Sequence, residues 1–87
     1  MSPREAILEV LSQRDAGKSI CPSEAARLAA GDDPWRPLMG TVRAAGKALA
    51  AEGIIEVTKK GKPVDPEAVK GVIRYRLKAV DASAEES

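Results

Sequence analysis

PSEAARLAAGDDPWRPLMGTVRAAGKALAAEG, residues 22–53, reads as two helices joined by a short turn. Pro22 opens the first, with Glu24 three residues after Cys21. Ala25, Ala26, Leu28 and Ala29 give it an apolar face of small side chains, against which a neighbouring helix can come close, and Gly31 is a natural C-terminal stop. Asp33 is positioned to cap the second helix, with Pro34 at its first helical position. That helix is expected to run about eighteen residues, to Glu52 before Gly53, with a short break at Pro37.

Outward from this pair, Ser2-Pro3-Arg4-Glu5 forms a capping box with Pro at the first helical position. Ile7, Leu8, Val10 and Leu11 follow at helical spacing, so a first helix is predicted to about Arg14. Ser19-Ile20-Cys21 can make one extended rung before Pro22. On the C-terminal side, Ile54–Thr58 reads as a strand by its β-branched content. Val72–Lys78 alternates more cleanly, with Ile73, Tyr75 and Leu77 on one face and Arg74, Arg76 and Lys78 on the other. Residues 59–71 hold two Pro and two Gly and read as a long basic hairpin loop, with Asp65 as a turn or cap residue opening one helical turn. Residues 79–87 are small and acidic with no periodic apolar face, and are expected to fray. The division is therefore a domain over 1–78 and an acidic tail over 79–87.

The order is helix, short strand, helix, helix, strand, basic loop, strand. This is the plan of a winged helix-turn-helix, an α+β fold of three helices, a short strand and a two-stranded hairpin. Residues 22–52 would be the helix-turn-helix and residues 59–71 the wing. Four further stretches carry a resemblance: Ile20-Cys21-Pro22-Ser23-Glu24, Trp35-Arg36-x-Leu38-Met39, Lys60-Gly61-x-Pro63-Val64-Asp65-Pro66 and Gly71-x-Ile73-Arg74-x-Arg76-Leu77. In these the chain resembles a family of small bacterial proteins of unknown function. That family is itself similar to winged-helix proteins, and the resemblance implies a fold without an activity.

The composition excludes most chemistry. Among 87 residues there is no His and one Cys, Cys21. Ser–His and Cys–His catalysis, an intrachain disulfide and a multi-cysteine zinc site are therefore ruled out. No catalytic constellation remains, so an enzyme is not expected, nor a cofactor or metal. Gly17-Lys18-Ser19 imitates the end of a phosphate loop, but the first glycine of that motif would fall on Ser12. No apolar run is long enough to span a bilayer. Arg4, Glu5 and Glu9 interrupt the N-terminus as a signal peptide, and a cytoplasmic location is expected. Trp35 and Tyr75 are the only aromatics, so aliphatic side chains must fill the core, and a base-stacking platform for single strands is unsupported.

The net charge of +1 hides a division. Residues 34–78 carry ten basic and four acidic side chains, whereas the regions on either side are net acidic. Such asymmetry suggests a polyanionic partner or a solvated basic face. At about 100° per residue, Arg36, Arg43 and Lys47 share one stripe of the third helix, opposite Trp35, Leu38, Val42, Ala45 and Leu49. Gly40 lies inside the basic stripe and Met39 at its edge. Gly40 marks either close approach by a partner or slack, while Gly46 is better read as packing. Lys59, Lys60, Lys62 and Lys70 charge the wing, and Arg74 and Arg76 share the outward strand face or merely solvate it. These eleven residues are the candidate contacts for double-stranded DNA, with arginine suited to base edges and lysine to phosphate. A protein partner on the same surface is the alternative. No extra helix is available as a dimer interface, which favours a monomer. Cys21 beside Ile20 reads as a small buried residue, and a redox-sensing role is the other reading. Trp35 reads as a packing anchor, and Tyr75 as a core residue whose hydroxyl reaches an edge.

Overall fold

The computed structural model describes residues 1–14, 17–69 and 71–78. Lys70 and the tail 79–87, expected to fray, lie outside the described residues.

Helix α1 spans Pro3–Ser12. Its capping box forms as read: the Glu5 N–H donates to Ser2 Oγ and the Ser2 N–H to Glu5 Oε1. β1 is Ser19–Ile20 and α2 is Pro22–Ala30, stopped by Gly31 at φ 62. Glu24 ties the two helices together, because one carboxylate oxygen takes the Cys21 N–H (2.8 Å) and the other meets the Arg14 guanidinium.

The third helix differs from its reading. Asp33 does not cap it. Arg36–Leu38 make a single 3₁₀ turn, and α3 proper is Met39–Ala51, thirteen residues. The reason is Pro37. An α-helix from Pro34 would need the Pro37 nitrogen to donate to the Asp33 carbonyl, and proline has no proton there. The tighter turn absorbs Pro37, and the α geometry begins two residues later.

β2 is Ile55–Lys59, β3 Lys62–Pro63 and β4 Arg74–Leu77, in a four-stranded antiparallel sheet ordered β1-β4-β2-β3. The sequence predicts one rung and a two-stranded hairpin with a long loop. The extra strand arises because Lys60 (φ 54) and Gly61 (φ 81) both take left-handed backbone and turn the chain in two residues. Lys59 then pairs with Lys62, and Thr58 with Pro63. Pro63 is tolerated because β3 lies at the sheet edge. Beyond it Asp65 does act as a turn residue: its side chain accepts the Glu67 N–H and its carbonyl accepts from Ala68 and Val69.

The three helices and one face of the sheet enclose an aliphatic core. Ile7, Leu11, Val42 and Leu49 meet Ile20, Ile55, Val57 and Ile73 around Tyr75, and Leu38 packs at its margin. Leu77 was expected on this face but is 43% exposed, since it lies past the last β1 pair, Ser19 with Arg76. Arg4 closes the far side with two bonds to Glu52, at 2.6 and 2.7 Å. This pair joins the start of α1 to the end of α3.

At Gly46 a Cβ would stand 2.5 Å from the Tyr75 ring, whereas at Gly40 it would meet nothing within 4 Å. Gly46→Ala therefore forces α3 off the sheet and should cost about 1–3 kcal/mol. Gly40→Ala should be neutral or stabilising by about 0.4–1 kcal/mol, because it restricts only the unfolded chain. Thermal unfolding of the two variants measures this, and equal losses in Tm would contradict the packing assignment.

Candidate nucleic-acid interface

The exposed side of α3 begins opposite Val42, Gly46 and Leu49, which are buried. Gly40, Arg43 and Lys47 face outward in consecutive turns. Arg43 makes no hydrogen bond or ion pair to the described residues, and Lys47 has a loose contact with Glu67 at 3.8 Å. Arg36 is not on this helix. It sits in the 3₁₀ turn with its guanidinium 4.8 Å from the centre of the Trp35 ring. Arg27 of α2 lies over the same ring at the same distance. Two cation–π contacts thus fix the turn between α2 and α3 and aim Arg36. Trp35 is half-buried and packs against the core, as an anchor should. Arg27 is not among the candidate residues read from the sequence, because nothing in the spacing reveals which cation a turn will lay on an indole.

Lys60 and Lys62 are exposed on the β2–β3 hairpin. Lys59 is half-buried, and its ammonium would stand 3.5 Å from a Cβ added at Gly71. Lys70 is outside the described residues. Met39 is half-buried and lines a cleft of about 370 Å³ with Cys21, Arg43 and Val72, the last 79% exposed.

Arg74 and Arg76 do not belong with the free cations. Arg74 donates to Ser19 Oγ (2.7 Å), to the Ser19 carbonyl (2.9 Å) and to Cys21 Sγ (2.9 Å). Arg76 stands across from Glu56 in the ladder and bonds it at 2.6 Å. Both are half-buried. The outer face of the sheet is a bonded polar layer that holds β1 and β2 to β4. Their alternation was legible; their partners came from the strand register. Cys21 is half-buried at the start of α2 rather than fully enclosed.

These positions fall within a family match, to Protein of unknown function (DUF3253), over residues 2–78. The chain belongs to that family. The match takes in every candidate contact from Arg36 to Arg76 and leaves out the acidic residues 79–87 of this DUF3253 chain. No curated protein matches it. Among the described residues no three His, Cys, Asp or Glu side chains gather as metal ligands. No helix among them is long and apolar enough to cross a membrane.

Tyr75 departs from its reading in one respect. Its ring is wholly buried between Ile20 and Val57 in the sheet, but the hydroxyl reaches no edge and has no hydrogen-bond partner. Burial pushes the phenol up from its ordinary value to about 12, against a smaller downward pull from the Arg43 charge. The folded protein therefore keeps this proton where the unfolded chain releases it. Stability should be full below about pH 10 and fall by roughly 2–3 kcal/mol as pH rises to about 12. Tyr75→Phe should remove this component of the decline while leaving neutral-pH stability equal or slightly higher. Urea unfolding at about pH 9 and pH 11 compares them, and parallel declines in both proteins would refute the assignment.

Proposed function

We propose that the domain is a winged helix-turn-helix that binds double-stranded DNA as a binding module rather than an enzyme. In this reading α3 enters the major groove and the β2–β3 hairpin serves as the wing on the backbone. The observation that carries it is the outward face of α3, where Arg43 has no partner among the described residues and Gly40 leaves open room for close approach. A helix seated on its core by Val42 and Leu49 holds Arg43 in fixed geometry, which suits reading a base edge. Arg36, braced on Trp35, and Lys47 flank it, with Met39 at the groove margin. Lys59, Lys60 and Lys62 serve phosphate, which asks for charge and no fixed geometry.

A protein partner is the second reading. The cleft beside Met39 and exposed Val72 favours it, since a duplex has little use for an exposed valine there. A module of this size buries about 600–1,000 Å² on DNA, so micromolar affinity is expected.

Arg43→Ala should lose about 1–3 kcal/mol on a selected preferred duplex and relax base choice at one position. Lys60→Ala with Lys62→Ala should weaken all duplexes alike and flatten the salt dependence by about 0.9 per lost phosphate contact. Fluorescence anisotropy across a salt series measures both. If wild type and variants bind equally at about 50 mM salt, DNA is not the ligand.

A further inference from the structure

We propose that the cleft between α3 and the segment joining β3 to β4 binds a small monocarboxylate with an apolar body. The cleft holds about 140 Å³. Arg43 and Lys47 supply its cationic side, and Val57, Val69 and Ile73 its apolar side. Tyr75 completes the wall, and its hydroxyl is the one buried side-chain polar atom among the described residues left without a partner. The Arg43 charge acts on that phenol, so the cation and the hydroxyl share one neighbourhood.

Each part of the cleft narrows the ligand. An apolar cavity of about 150 Å³ is known to take benzene, so this volume suits a single ring or a short branched chain. A wholly apolar guest would leave two cations and a hydroxyl unanswered. Inorganic phosphate would set its remaining oxygens against three aliphatic side chains, where they have no donors. A carboxylate at one end of an apolar body satisfies both sides. Its oxygens accept from the Arg43 guanidinium, which offers a paired set of donors, and from the Tyr75 hydroxyl. Lys47 can turn to it from Glu67, whose contact is long and exposed. The carboxylate leaves one side of the guanidinium occupied and cancels its charge. If α3 binds duplex as proposed, ligand and duplex exclude each other at Arg43 and Lys47, and the small acid acts as an effector that releases DNA.

Benzoate is the probe, with benzamide as its neutral isostere and acetate as the carboxylate without a body, all at matched ionic strength. Amide NMR spectra of the full chain should show saturable benzoate shifts centred on residues 43, 47, 69, 73 and 75. Benzamide and acetate should bind at least tenfold more weakly. Arg43→Gln should lose about tenfold in benzoate affinity, and Tyr75→Phe a smaller factor with the fold intact by circular dichroism. No saturable shift at these residues by about 10 mM benzoate overturns the proposal, as does equal binding of benzamide. A duplex competition separates the two readings. Benzoate binding without any duplex binding keeps the site and removes the DNA function. Benzoate binding that leaves duplex affinity unchanged removes the effector role.

Discussion

The contact between Gly46 and Tyr75 sets the geometry of everything above the sheet. A phenol ring occupies the space where any other residue on α3 would carry its Cβ. The ring is itself fixed from both sides, by Ile20 on β1 and Val57 on β2. The helix therefore rests at one height on the central strand, and its far side, three residues back and one residue on, presents Arg43 and Lys47. With no Phe in the chain and Trp35 at the margin, Tyr75 is the largest fully buried side chain. The core accepts an unpartnered hydroxyl in exchange for that volume, which is why its phenol is so reluctant to ionise.

Ten of the described cations sort into three groups. Arg4, Arg14, Arg74 and Arg76 are bonded to carboxylates, carbonyl or sulfur and hold elements together. Arg27 and Arg36 brace the turn through Trp35. Arg43, Lys60 and Lys62 remain solvent-facing on α3 and the hairpin, and Lys47 is held only loosely. A net charge counts all of these alike, although Arg4, Arg14, Arg74 and Arg76 are already engaged in holding elements together. The proposed duplex surface is thus smaller than the basic half of the sequence suggests. It adjoins the cleft proposed for the small acid.

Much of this was legible in the residues. The capping box at Ser2, the stop at Gly31 and the packing of Gly46 all follow from local rules, and each is found. The apolar positions of α3 and β4 gave the core correctly except at Leu77, where the short β1 leaves nothing to cover it. The misreadings share a physical origin. Pro37 competes with Asp33 over where an α-helix can begin, and the proline prevails through a missing donor. Lys60 takes a left-handed conformation that lysine seldom adopts, so the tight turn and β3 were hidden in what read as a loop. Arg74 and Arg76 looked outward by alternation, but alternation says nothing of partners on neighbouring strands. Those depend on register, which the sequence of one strand does not contain.

The proposed function requires that the outward face of α3 and the β2–β3 hairpin form one polyanion-binding surface. Amide NMR of the full chain, titrated with a short mixed-sequence duplex at about 50 mM salt, reads that surface residue by residue. Progressive shifts are expected at residues 36, 40, 43 and 47 and at 60–62, reversed by added salt, and none on the outer face of α1 around Glu5, Leu8 and Glu9. Absence of shifts, or shifts centred on α1, would contradict it.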